Sequence, residues 1–475
     1  MVLAEQASLT SVRALIRVPG SFRDPHGFVF LRDGVVFRQV QPAGGEDYDR
    51  LMSSGLYAAL VARRLLVEHV EEPGGNGAHK ILRPEQLRFL SWPFEWPFGA
   101  LQAAAVLTID VAIAALAHGM VLRDASGYNV QFRGAAPVFI DTLSFGTYRE
   151  GEPWVAYGQF CRHFLAPLAL MARVDVRLAS LLRSHIDGLP LDLTSSLLPW
   201  HSWLSPGLLV HLHGHARFKT KPTDSDSQIA RGKAAKRASV SKTGLLGLLD
   251  SLRSIVSGLS WRPKGTTWGS YYSETNYSGD AISAKERLVT ELVARCPANG
   301  IVWDLGGNTG RMLKAALPTG SYGVALDIDP LAVQLGFQES TGNQETRVVH
   351  LLADFSNPSP SQGWAEKERA GLVERGPADV ALALALVHHL VIGNNVPLVH
   401  LAAFLASIAC HVVIEFVPKD DSQVIRMLSG REDIFSDYHE DGFQAAMRTQ
   451  FDVAERVCIP NTSRTLWRLD RRQPQ

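Results

Sequence analysis

Residues 301–311 read IVWDLGGNTGR, and the stretch decides the fold of the back half of this 475-residue chain. A short β-branched, apolar run ends in Asp304, turns through Gly306, Gly307, Asn308 and Gly310, and opens onto the helical-looking RMLKAAL. Glycines let a backbone turn sharply and approach a ligand, and asparagine is among the few other residues that tolerate a left-handed conformation. A phosphate-cradling loop needs Gly-Lys-Ser/Thr, which is absent. A dinucleotide fingerprint needs glycines where Asn308 and Arg311 stand.

Working outward, further apolar runs follow at 322–328, 347–353, 378–386 and 411–417, each separated by enough chain for a crossover helix. That alternation predicts a parallel, doubly wound α/β sheet covered on both faces. The runs FDVAERVCIP and RTLWRLD predict a closing antiparallel hairpin. Acidic residues recur at the expected strand ends, Asp327 and Asp329 after the second and Asp354 with Phe355 after the third. Leu386, Val387, His388 and His389 follow the fourth, at the carboxyl edge where open α/β sheets bind ligands.

WDLGGNTGR resembles the first motif of class I S-adenosylmethionine-dependent methyltransferases, D-x-G-x-G-x-G, with Asn308 in place of the middle glycine. The resemblance implies a Rossmann-like domain that binds S-adenosyl-L-methionine through Asp304, Gly306, Gly307, Asn308 and Gly310. It further implies that Asp327, in preference to Asp329, accepts from the ribose hydroxyls, and that Asp354 meets the adenine amino group with Phe355 flanking the ring. Methyl transfer from a sulfonium is an in-line displacement on an already activated electrophile, so the protein mainly positions and desolvates. An O or N nucleophile can also require a base, for which His388 and His389 are the candidates; the alternative is a strand-edge contact to cofactor. Glu415, Lys419 and Asp420, at the end of the fifth strand, are candidate substrate contacts. Trp268, Tyr271, Tyr272, Asn276 and Tyr277 form either a lid over the cofactor or packing against the sheet.

Ahead of this half, residues 217–242 lose their large apolar side chains and collect Lys, Arg, Ser and Asp. The division is therefore an α+β domain over 1–215, a basic connector over 216–250 and a methyltransferase domain over 251–475. Arg231, Lys233, Lys236 and Arg237 read as solvated connector. In the first domain, FVFLRDGVVFRQV (28–40) predicts a hairpin about Asp33-Gly34, with a helix over 48–70, another over 102–120 and mostly helix over 158–215.

Arg123-Asp124 is followed by Asn129, and Asp141 comes after an apolar strand. This resembles the catalytic loop and metal-binding Asp of protein kinases, where the Asp accepts a hydroxyl proton while Asn and the second Asp hold magnesium. Leu122 replaces the kinase His, Thr142-Leu143 replaces Phe-Gly, no Gly-rich nucleotide loop is evident, and Arg38 stands at the lysine position, so the expectation is a degenerate kinase-like fold. The alternative is that Asp124, Asn129 and Asp141 only stabilise turns. His211, His213 and His215, with His201 nearby, are expected to be structural, and no metal site is expected.

Lys+Arg and Asp+Glu balance at 47 each, so no global field points to nucleic acid or an anionic membrane. The four cysteines are widely spaced, and no hydrophobic leader opens the N-terminus; both point to the cytoplasm. The apolar segment 99–122 is interrupted by Gln102, Thr108, Asp110 and His118, which suits a buried helix and not a membrane span. Over nearly the whole chain, phrases such as FRDPHGFVF, DASGYNVQF and PVFIDTLSF resemble long bacterial methyltransferases that include nodulation-associated, NoeA-type proteins of rhizobia. That implies a small-molecule or glycan acceptor, of lipo-oligosaccharide type for example, which the N-terminal domain selects or holds. Two other readings stay open: a bifunctional enzyme with small-molecule phosphotransferase activity at Asp124, Asn129 and Asp141, and a scaffold that binds the cofactor without transferring methyl.

Overall fold

A computed structural model describes residues 15–73, 77–216, 239–263, 279–297 and 300–473. Most of the expected connector, including Arg231, Lys233, Lys236 and Arg237, lies outside the described residues, as do Trp268, Tyr271, Tyr272, Asn276 and Tyr277.

The first half opens with β1 (Leu15–Arg17), β2 (Gly27–Arg32) and β3 (Val35–Val40). The β2–β3 hairpin turns at Asp33 and Gly34, φ 54° and 77°, the paired left-handed residues of a tight two-residue turn. Helices α1 (Pro42–Ser53) and α2 (Leu56–Ala62) follow, then β4 (His69–Glu72) and β5 (Lys80–Pro84). The single helix expected over 48–70 is thus broken: Gly55, at φ 79°, starts a new helix, and the chain is extended by residue 69. The five strands form one antiparallel sheet in the order β1-β2-β3-β5-β4.

Helix α3 (Phe98–Ala117) follows and packs against α2. It is long and apolar enough to span a bilayer by length and composition, yet two-thirds of its most apolar window, 67%, is buried inside the protein. Two short ladders follow, β6 (Met120–Leu122) with β9 (Phe145–Thr147), and β7 (Val130–Arg133) with β8 (Ala136–Phe139). Short helices fill much of 157–214.

Helix α4 (Lys242–Gly258) corrects the domain division. Residues 242–250, assigned above to the connector, are its first half, and the helix lies on α3. Leu245, Leu249, Leu252 and Val256 form its buried stripe at helical spacing, Gln102 Nε2 donates to the carbonyls of Val256 and Leu259, and Arg253 pairs with Asp110. The basic composition upstream had masked a stripe that belongs to the N-terminal half.

The second half begins at α5 (Gly279–Ala294) and builds a seven-stranded sheet. Its parallel strands are β10 (Ile301–Leu305), β11 (Tyr322–Asp327), β12 (Val348–Leu352), β13 (Ala378–Ala383) and β14 (Ala409–Phe416). Helices α6 (Arg311–Ala316), α7 (Pro330–Gly342) and α8 (Leu398–Ile408) serve as crossovers. The closing hairpin is β15 (Phe451–Cys458) with β16 (Thr465–Arg471), and β16 inserts antiparallel beside β14. The order is β12-β11-β10-β13-β14-β16-β15. The chain winds outward from β10 to β12 and returns at β13, so the crevice between the carboxyl ends of β10 and β13 is the switch point where such sheets bind ligands.

The halves share one core. Trp303 of β10 meets the Phe89 ring edge-on at 5.6 Å, Phe132 meets Phe337, and Gly99 N donates to Gln334 Oε1 at 2.8 Å.

Candidate functional site

The turn after β10 folds back against β11: Gly306 N and Gly307 N donate to the Leu326 carbonyl at 2.8 and 3.0 Å. Asn308 sits at φ 52°, the left-handed conformation for which asparagine is suited, and its N–H donates to Asp327 Oδ2 at 2.7 Å. Glycine is required at 307 because a Cβ there would lie 2.6 Å from Asp304 Oδ2. It is required at 310 because φ is 75° and a Cβ would lie 2.8 Å from the His350 ring.

One cavity opens at the switch point, and Asp304, Gly306, Gly307, Asn308, Asp327, Asp354 and Phe355 all line it. Gly310 does not; it caps α6 and holds the turn from behind. Asp327 keeps both oxygens on backbone donors, Asn308 N and Asp329 N, and each oxygen has lone-pair capacity for a further donor. Asp329 caps α7, accepting from Leu331 N and Ala332 N, and is absent from the cavity lining. Asp354 Oδ1 accepts from Ser356 N and Oγ, fixing the start of the wall that Phe355 continues.

Asp304 is fully buried and its Oδ2 has no hydrogen-bond partner among the described residues. Burial, and next the neighbouring Asp327 charge, push its carboxyl up to about 7, against the pull of Lys285. Burial also raises Asp327. An acidic floor with an unsatisfied oxygen suits a ligand bearing a positive charge.

His389 lines the cavity; His388, its ring centroid 4.1 Å from that of His389, does not, and its buried Nδ1 has no partner among the described residues. Burial lowers both imidazoles below their ordinary value, so both are neutral near pH 7. Ala385, also in the lining, holds φ 52°, a left-handed conformation costing an L-residue about 1–2 kcal/mol, of the kind retained at functional sites.

Two substrate-contact candidates are otherwise engaged. Glu415 is fully buried, its oxygens taken by Lys285 Nζ at 2.5 Å and Arg464 Nη1 at 3.3 Å; Arg464 also pairs with Asp421. Lys419 Nζ bonds Asp433 and the Phe435 carbonyl. Asp420 is exposed and outside the cavity lining. The sequence reading missed Lys285, a cavity-lining cation on α5. Its AKER surroundings look like any solvated helix face, and only the fold brings it to Glu415, 130 residues away.

In the N-terminal half, Asp124, Asn129 and Asp141 do come together. Asp124 accepts from Ser126 N, and burial, then Asp141, raises its carboxyl. Ser144 Oγ donates to Asp141 Oδ2 at 2.7 Å and accepts from Asn129 Nδ2. Arg38 of β3 is ion-paired with Asp141, and Arg123 with Asp47. His211 bonds Tyr157 and Ser251, and His213 bonds Ser195 and Ser202, as expected of structural histidines. Among the described residues, no group of three or more His, Cys, Asp or Glu side chains is placed to hold a metal ion.

Over 466 residues the chain is 36% identical to the nodulation protein NoeA of Rhizobium meliloti (strain 1021), covering 96% of each. The chain belongs to the NoeA family. No family model matches it. Among solved structures, this NoeA-family chain is similar to magnesium protoporphyrin IX methyltransferase (ChlM) of Synechocystis PCC 6803 with bound SAH, at 16% identity and TM-score 0.31, covering 43% of this chain and 93% of that one. It is also similar to the N-methyltransferase NodS of Bradyrhizobium japonicum WM9, at 12% identity and TM-score 0.30, covering 41% and 99%.

Proposed function

We propose that this NoeA-family chain transfers a methyl group from S-adenosyl-L-methionine to an O or N nucleophile of a small-molecule or glycan acceptor. The carrying observation is the convergence in one cavity of Asp304, the left-handed Asn308 turn, Asp327 and the Asp354–Phe355 wall, in the strand-by-strand order the class I motifs require. The bound cofactor supplies an activated, positively charged methyl donor. Asp304 faces the ammonium of its amino-acid end, Asp327 accepts from its ribose hydroxyls, and Asp354 with Phe355 borders its adenine. Leu384, Leu386 and Leu390 keep the reacting end apolar and dry. Neutral His389 takes a proton from the acceptor nucleophile; His388 backs it without reaching the cavity. The four cysteines are all free, which suits a reducing, cytoplasmic setting.

Calorimetry of the full chain with S-adenosylmethionine, S-adenosylhomocysteine and NAD tests the reading. Tight binding of the first two with silence for NAD supports it, and the reverse pattern overturns it. Transfer of labelled methyl to a bacterial extract separates an enzyme from a scaffold that only binds cofactor.

A second reading concerns the N-terminal half, and the convergence of Asp124, Asn129 and Asp141 favours it. We propose a degenerate kinase-like domain that holds the acceptor. The Arg38 guanidinium neutralises Asp141, the residue a magnesium ion would need. Titration with Mg-ATP discriminates: no heat is expected, and binding that is lost in Asp141→Asn would instead support phosphotransfer.

A further inference from the structure

The crossover from β12 to β13 differs from its neighbours. Residues 353–377 contain only two single-turn pieces, Trp364–Glu366 and Val373–Arg375, where the crossovers after β11 and β13 carry full helices. The stretch leaves the sheet and docks on the N-terminal half. Trp92 Nε1 donates to the Ala370 carbonyl at 2.9 Å, Arg23 makes a bidentate pair with Glu368, and the Arg369 guanidinium lies 4.2 Å over the Tyr128 ring.

At the centre stands Glu95, in the single turn Pro93–Glu95 and 3% exposed. Its carboxylate accepts four hydrogen bonds: from Trp92 N at 2.9 Å, Ser359 Oγ at 2.9 Å, and Arg375 Nη1 and Nη2 at 2.9 and 2.5 Å. Ser359 lies near the start of the crossover and Arg375 near its end, and Leu372 N reaches the Ser359 carbonyl at 2.8 Å between them. One carboxylate from the other half thus gathers both ends of the loop. The segment gathered begins with Asp354, Phe355 and Ser356, which line the cavity, and Ser359 is four residues beyond Phe355.

We propose that Glu95 is a positioning residue of the cofactor site: by clamping Ser359 and Arg375 it fixes the crossover whose first residues form the adenine-side wall. The inference rests on the cofactor reading above for its ligand, but the clamp itself is measurable without one. A buried, bidentate carboxylate–guanidinium pair with its remaining lone pairs satisfied is rigid, and removing one partner leaves the other buried and unpaired. Rigidity at the wall is what a binding site gains from such support, because a wall that must be ordered on binding weakens affinity.

The test uses the full-length chain with Glu95→Gln, Ser359→Ala and Ser359→Thr, read by peptide-resolved hydrogen exchange and by calorimetry with S-adenosylhomocysteine. Glu95→Gln is expected to weaken binding roughly tenfold, within the usual range of coupling between sites. Exchange should rise across 353–377 and stay unchanged at 301–310. Ser359→Ala, which leaves the Glu95–Arg375 pair intact and is not expected to unfold the chain, should raise exchange at 353–363 and weaken binding to a smaller degree, with Ser359→Thr restoring both. The inference is overturned if Ser359→Ala leaves exchange at 353–363 unchanged, or if either folded variant loosens 301–310 as much as the crossover. If the parent protein binds no S-adenosylhomocysteine, the cofactor reading fails while the exchange pattern still decides the clamp.

Discussion

Asp304→Asn isolates a single buried charge. In the ligand-free protein the Asp304 carboxyl titrates near 7, against an ordinary value of 3.8, chiefly because it is buried and secondly because Asp327 is close. A raised folded-state value means that the unfolded chain gives up this proton first. Stability from this group therefore falls as pH climbs from about 4 to 7 and is level above; at about 1.4 kcal/mol per unit the ionised carboxylate costs the empty protein about 4 kcal/mol. A cation bound against Asp304 reverses the preference, because it stabilises the ionised form. Binding then ejects a proton wherever Asp304 is still protonated, and affinity for S-adenosylhomocysteine should rise roughly tenfold from pH 6 to pH 8 and then flatten. Calorimetry in two buffers of different ionisation enthalpy counts the protons: close to one released at pH 6 and few at pH 8. Asp304→Asn should abolish that release, weaken binding at pH 8 and raise the melting temperature of the empty protein at pH 8 but not near pH 4. Equal affinity across pH 6–8 with no proton release, or an Asp304→Asn protein less stable at pH 8 than its parent, would refute the reasoning.

Three further outcomes follow from the same cavity. Asp327→Ala should weaken S-adenosylhomocysteine binding by about 1–3 kcal/mol, because ribose donors and the Asn308 amide lose their acceptor together; unchanged affinity in calorimetry removes Asp327 from the site. His389→Ala should lower kcat by about 100-fold or more while leaving cofactor affinity within about twofold, whereas His388→Ala should act on thermal stability. With parent protein, transfer should persist below the ordinary histidine value before protonation of His389 stops it. Asn308→Gly should be tolerated, but Asn308→Val should lose about 1–2 kcal/mol in denaturant unfolding, because a β-branched residue is poorly accommodated at φ 52°.

The back half was legible because its signals are local. Each strand is a compact apolar run, each cavity-lining acid stands at a strand's carboxyl end or within two residues of it, and glycines mark where backbone must approach a side chain, as Gly307 does Asp304. Cavity-lining positions 304, 306, 307, 308, 327, 354 and 355 could therefore be read in order. Gly310, which the motif resemblance places at the ligand, stands outside the cavity lining, and the His350 ring that crowds it lies 40 residues on. The connector was drawn too long because charge in one stretch was extended over Leu245 and Leu249, whose spacing already marked a helix. Lys285 and Glu95 left no signal. Lys285 sits in AKER, which reads as ordinary surface, and Glu95 is a lone acid within the aromatic run SWPFEWPFG; in both cases the buried partner is distant in sequence and is set by topology.

The shared core bears on why the two halves occur in one chain. A sheet whose β12–β13 crossover lacks a helix leaves part of one face uncovered, and Phe89, Trp92 and the Pro93–Glu95 turn cover it from the N-terminal side, with Phe89 on Trp303, the residue beside Asp304. Burial of that kind is roughly proportional to apolar area and is lost if the halves are separated. The C-terminal half expressed alone would expose Trp303 and leave Arg375 without its carboxylate. The N-terminal half therefore supports the cavity of the second half through structure. Arg369, stacked over Tyr128 in the loop between Asp124 and Asn129, carries contact from that loop to the crossover that walls the switch-point cavity.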